Sequence, residues 1–275
     1  MRSSRFSVAG ATVMAAIIAA ALGAVVVADH SWGNYHWART GSSFDLIVVN
    51  STTDDWDGYV EIAAGDWSQA RSLNMVQDLN GSTGDRDRRQ CRAPGGAIRI
   101  CNLAYGNTGW LGIAGISIDA NGHISAGYTK LNDSYFSSAY YNTHDWKQSV
   151  VCQELGHNVG LDHQDEDFGN TTLESCMDYQ DPPWPAPNSH DYGQLETIYT
   201  HLDSYNSYAA GEGGEDGGTC NAPPGKGCNK AGVGQDNFGK GWGISLGRRG
   251  QKEKFLRIDP DGTRHLTFVT WVHGH

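Results

Sequence analysis

Residues 150–164 read V-V-C-Q-E-L-G-H-N-V-G-L-D-H-Q, placing Gln153, Glu154, His157, Gly160 and His163 at fixed offsets. On a helix, residues four apart share a face, so the side chains of Gln153 and His157 point at one spot. Glu154 lies one step round, close enough to hold a metal-bound water without being a ligand. Gly160 can take a left-handed conformation, end the helix and return His163 to the same point. Two or three neutral ligands, one carboxylate and an open coordination position make a hydrolytic metal site. Glu154, His157, Gly160 and His163 would fall in register by accident on the order of once in a thousand chains this long, so chance is a poor explanation.

The elements that must position these groups are legible in outline. Asp145 is a good cap for the helix carrying the motif, which starts at Thr143, His144 or Asp145, and Trp146 enters the core. Val151, Leu155 and Val159 form its packing stripe at four-residue steps. A second helix is expected over residues 55–71, capped by Thr53 or Asp54. Trp56, Tyr59, Val60, Ala63, Ala64 and Trp67 recur along it at three- and four-residue steps, and Gly65 is a point where it could break. Residues 44–50 read as a buried strand, and residues 80–89 as a charged loop. Residues 110–119 and 123–131 form an antiparallel hairpin about Ala120-Asn121-Gly122. A final helix is expected over residues 190–205, with Leu195, Ile198, Tyr199 and Leu202 inward. Residues 209–219 read as an acidic Gly-rich linker, and residues 220–275 as a small β-rich appendage.

The chain has 275 residues and a formal charge of -11. Residues 1–28 resemble a secretory signal: Arg2 and Arg5 precede an alanine-rich apolar run ending in Val26-Val27-Ala28. The run is also long enough for a retained anchor, but its end suits cleavage better. Without those two arginines, 18 of the 20 basic residues face 31 acidic ones, a charge of -13. Such a surface argues against nucleic acid or anionic membrane as partner. A secreted, monomeric protein is expected. Six cysteines fit an oxidising compartment and fall in close pairs: Cys91 with Cys101, Cys152 with Cys176, and Cys220 with Cys228. Fifteen connectivities are open, local pairing being preferred.

The motif resembles the extended signature of metzincin metalloproteases, with Gln153 where the first histidine usually stands. Ser175-Cys176-Met177-Asp178-Tyr179 is similar to that clan's Met-turn. The resemblance covers roughly residues 40–205 and is strongest to matrixin-like domains. It implies an α+β domain with a twisted mixed sheet of about five strands, three main helices and a substrate cleft. It implies a zinc endopeptidase acting on protein or peptide, with His157 and His163 as ligands and Glu154 as general base. Met177 would underlie the metal and Gly160 make the turn. Tyr179 either donates to the oxyanion or ties the Met-turn to the core. Gln153 is itself a weaker, harder ligand than imidazole. A glutamine there resembles gametolysin-like proteases, which implies copper as an alternative to zinc. His144 and His190 are alternative sources of the third ligand. A catalytically inactive metal- or matrix-binding protein is the alternative reading. Asp54, Asp55 and the acidic residues 165–167 are candidates for calcium, a solvated acidic face being the simpler account.

Overall fold

The computed structural model describes residues 30–208 and 241–272. The expected signal segment, the 209–219 linker and the Cys220–Cys228 pair lie outside the described residues. The first strand, β1 (Phe44–Ser51), leads into α1 (Asp54–Trp67), whose N-cap is Thr53. The helix runs through Gly65 because Trp56, Val60, Ala63, Ala64 and Trp67 bury one continuous face. After β2 (Leu73–Asp78), the expected loop contains a short helix, α2 (Asp85–Gln90). Asp85 and Asp87 lie in its first turn and Arg88 and Arg89 in its last, the charge order that a helix dipole favours.

Strand β3 (Ile98–Leu103) precedes the hairpin of β4 (Trp110–Ile118) and β5 (Ile124–Asn132). A single turn, α3 (Asp133–Phe136), connects to α4 (His144–Asn158), which carries the motif. The last helix, α5 (Ser189–Ile198), is shorter than expected. Beyond it the chain turns back to pair with residues 38–39: the Asp203 amide donates to the Arg39 carbonyl (2.7 Å) and the Ser207 amide to the Ala38 carbonyl (3.0 Å). Leu202 therefore stands 56% exposed and not in the core.

The C-terminal strands are β6 (Ile244–Arg249), β7 (Lys252–Ile258) and β8 (Arg264–Trp271). They do not form a separate appendage. One mixed α+β sheet runs β2-β1-β3-β5-β4-β8-β7-β6. Its first five strands are the expected unit, with β1, β2, β3 and β5 parallel and β4 antiparallel to β5. Strand β8 takes the free edge of β4, from Trp110 opposite Trp271 to Ile118 opposite Arg264. Alternation along β8 explains the join: Leu266 and Phe268 enter the main core, while Val269 and Trp271 enter a second cluster with Trp110, Ile113 and Phe255. All nine residues of β4 are buried for the same reason, since both its faces are covered.

Helix α4 packs between this sheet and α1. The Trp67 indole donates to the Cys152 carbonyl (2.9 Å), and Val151, Leu155 and Val159 are fully buried. Each such side chain contributes about 1.5–3 kcal/mol by leaving water. Gly112 permits the close approach of α4 to β4: a Cβ there would stand 2.5 Å from a Glu154 carboxylate oxygen and 2.7 Å from Val150. Cys91 pairs with Cys101 and Cys152 with Cys176, as local pairing required. These bridges fit an oxidising compartment. Among the described residues, no helix is long and apolar enough to cross a membrane.

Candidate functional site

Helix α4 starts at Thr143, whose hydroxyl accepts from the Trp146 amide (3.2 Å), with Asp145 in the first turn rather than at the cap. Its far end delivers the motif. Glu154 and His157 are fully buried, and Gln153 and His163 nearly so. Gly160 has φ +101° and its Cβ position lies 2.1 Å from the Tyr35 carbonyl oxygen, so glycine is required twice over. The turn it makes brings the His163 ring edge-on to His157, 4.5 Å between centroids.

The His157 Nδ1–H donates to the Leu161 carbonyl (2.8 Å). Burial first, then the nearby Lys252 charge, hold this ring well below the usual histidine range, so it is neutral. Its Nε2 lone pair is buried with no protein partner. With its other nitrogen fixed by a backbone acceptor, this imidazole has a lone pair able to take a metal ion or a proton donor. Beside it, Glu154 Oε1 accepts from the Thr270 hydroxyl (2.6 Å) while Oε2 has no partner. Burial pushes this carboxyl up to about 7, against the opposing effects of Lys252, the Thr270 hydroxyl and the Ala114 amide.

Met177 packs against helix α4 at Gly156. It is fully buried, and a Cβ at Gly156 would come within 2.7 Å of its sulfur. The turn is held by the Ser175 hydroxyl, which accepts from the Met177 amide (2.9 Å) and donates to Asp191 (2.6 Å). The Tyr179 hydroxyl is 3.3 Å from His163 Nδ1, and its ring packs on Phe168 and under the Lys252 ammonium. Tyr179 thus braces the His163 ring.

The C-terminal strands complete the site, and no pattern in the sequence points to this. Phe268 of β8 stacks on His157, 4.4 Å between centroids and 7° between planes. Thr270 of β8 binds Glu154 and lies 3.4 Å from the Gln153 amide oxygen. Lys252 of β7 places its Nζ 3.3 Å from His163 Nε2. Burial, offset in part by Glu154, Glu166 and Asp162, lowers that amine to about 7. Three residues of β7 and β8 thus touch all four motif side chains.

Asp162 has no place in the sequence reading, and Glu166 enters it only within the acidic 165–167 segment. Their carboxylates lie 3.5 and 3.6 Å from His163 Nδ1, and the three residues form a group able to hold a metal ion. With the acidic residues 165–167 they line a cleft of about 910 Å³, opposite Arg248, Arg249 and Lys254. Neither alternative histidine joins the motif pair in direct contact. His144 is exposed and faces Asp145 and Tyr59, and His190 stacks on His30. Asp54 and Asp55 are exposed in the first turn of α1.

No family model and no curated protein matches the chain. Among solved structures it is similar to high choriolytic enzyme 1, a hatching-enzyme zinc protease from Oryzias latipes (Medaka fish), at 12% identity and a TM-score of 0.32. That alignment covers 61% of this chain and 95% of the other. It is similar also to archaemetzincin from Archaeoglobus fulgidus, at 11% identity and a TM-score of 0.33, covering 55% of this chain and 99% of the other. Likenesses this distant carry no inference about activity.

Proposed function

We propose that this chain is a metzincin-like metalloendopeptidase whose site is covered by its own C-terminal strands. The observation that carries the reading is a pair of orphaned atoms: His157 Nε2 and Glu154 Oε2 are buried side chains without partners on adjacent turns of one helix. A buried polar atom left unpaired costs about 1–3 kcal/mol, which a ligand or substrate offsets.

By residue type the donor set suits a zinc ion, which His157 Nε2, His163 Nε2 and the Gln153 amide oxygen would hold. The oxygen donor leaves the site looser than three imidazoles and keeps copper open as an alternative. Bound there, the metal would supply Lewis acidity toward a peptide carbonyl and an attacking water. Glu154, with its carboxyl near neutrality, takes the proton of the attacking water and returns it to the leaving amine. For that, Thr270 must release Oε1 and Lys252 must leave His163 Nε2. The Tyr179 hydroxyl keeps the His163 ring in place.

Zinc content and peptide cleavage of the full chain test the reading in wild type, Glu154→Gln and Lys252→Ala. Cleavage that rises in Lys252→Ala and vanishes in Glu154→Gln, with zinc retained in both, is the expected result. A wild type and Lys252→Ala that hold no metal at His157 and cut nothing, with zinc or copper supplied, would sink it. The chain would then be a non-catalytic binding protein on the same scaffold.

A further inference from the structure

A second group of histidines stands away from the motif, and its ring orientations are informative. His36 Nδ1 is 2.9 Å from the Asn34 carbonyl, which can only accept, so Nδ1 carries the proton. In the neutral ring, Nε2 is then a bare lone pair, and it is buried without a hydrogen-bond partner. It points at Asp203 Oδ2, 3.4 Å away. His123 repeats the arrangement. The Tyr205 hydroxyl donates to Asp119, so it accepts from His123 Nδ1 at 2.8 Å. His123 Nε2 again faces Asp203, 3.2 Å from Oδ1. The third ring, His201, brings its Nε2 to 3.5 Å from the same oxygen.

Lone pairs aimed at an anionic oxygen repel unless positive charge lies between them. Charge-assisted N–H···O contacts shorten to about 2.7–2.9 Å, and none of these three does so. Donors around a tetrahedral zinc, with bonds of about 2.0–2.1 Å, stand roughly 3.3 Å apart, close to the three Nε2–carboxylate distances, two of them to Oδ1 and one to Oδ2. The ligand atoms of His36, His201 and Asp203 all lie within 4.8 Å of one another. Among the described residues, the Asp203 carboxylate also accepts from the Arg39 amide through Oδ2 (2.9 Å).

We propose that His36, His201 and Asp203, with His123 beside them, bind a divalent transition-metal ion of the zinc class. The ion would fasten three segments distant in sequence: the strap before β1, the β4–β5 turn and the chain that returns after α5. The site is independent of the catalytic reading, sharing no residue with the motif.

Zinc analysis of the full chain, stripped with chelator and re-equilibrated with Zn²⁺, tests it. Wild type should hold two equivalents, His201→Ala one and His157→Ala the other. The His201 side chain is 58% exposed, so its loss leaves the core intact. Affinity at this site should fall by about 100-fold or more, beyond the 10–100-fold typical of a supporting residue. Wild type should also gain thermal stability with Zn²⁺ in two steps, of which His201→Ala keeps one. Equal zinc content and an equal thermal response in wild type and His201→Ala would overturn the proposal. If His157→Ala alone retains the wild-type zinc content, the catalytic reading fails separately.

Discussion

The two histidine centres of this molecule are built in opposite ways. At the first, His157 and His163 stand six positions apart on one helix and turn, lie inside the protein, and are roofed by β7 and β8. At the second, His36, His123, His201 and Asp203 come from three segments, and one ring stands exposed. Both fix an Nδ1–H on an oxygen acceptor and turn Nε2 inward. Enclosure is therefore what separates a centre able to reshape the acidity of its neighbours from one that would hold an ion as a fastening. Glu154 reaches about 7 by burial. Asp203 goes the other way: burial alone would raise it, but the Arg39 amide, and positive charge placed beside it at His36, His123 and His201, bring it below the ordinary carboxylate value.

The largest expected effect divides the centres cleanly. Glu154→Gln should lower peptide cleavage by about 10²–10⁴-fold, the range for a general base, while zinc content at both centres stays unchanged. Loss of zinc in that variant would make Glu154 a ligand. Gly160→Ala joins the two centres and should damage both. Its methyl would strike the carbonyl of Tyr35, the neighbour of His36. Chemical denaturation should show a loss of about 3 kcal/mol or more from combined backbone strain and overpacking, with weaker zinc binding at both sites. Stability within 1 kcal/mol of wild type would show that the turn can be rebuilt.

Gln153→His should tighten zinc at the first centre by about tenfold, a supporting-ligand magnitude, and Gln153→Ala should weaken it, with the second centre unmoved in each. Equal affinity in all three chains would remove Gln153 from the ligand set. The smallest effect concerns pH at the roof. Burial, then Arg257, depresses His265 of β8 below 6.5, although Asp259 opposes them. A depressed histidine contributes stability in full above its unfolded value, and loses it as pH falls through the folded one. Amide exchange in β8 should therefore accelerate relative to β3 as pH falls from about 7.5 to 5, and less so in His265→Gln. No change in that ratio would mean that His265 does not help to hold the roof.

The first centre was legible because a helix translates spacing into position: offsets of one, four and seven residues, closed by a glycine, define a point in space before any tertiary contact exists. Local cysteine pairing and the β4–β5 turn were legible for the same reason. The second centre has no such signature, since His36 and His201 meet only after the fold has formed. The roof was missed because short β segments reveal their faces but not their neighbours. Leu266 and Phe268 alternate with Thr267 and Val269 in any sheet, and only the unpaired edge of β4 determines where they go. The helix over residues 190–205 was drawn too long because the pull of Arg39 and Ala38 on residues 203–207 is a tertiary one.

The place of β4 between β5 and β8 carries a further consequence, for self-association. Both edges of this nine-residue buried strand are hydrogen-bonded. Any motion that frees Glu154 from Thr270 by withdrawing β8 leaves a long apolar edge with unpaired amides and carbonyls, which recruits another extended chain. The vacated edge fits the β8 of a second copy as well as its own, because register and side-chain alternation are identical. Opening the molecule thus exposes it to reciprocal strand exchange at high concentration, and a dimer made in that way would have two roofs closed again.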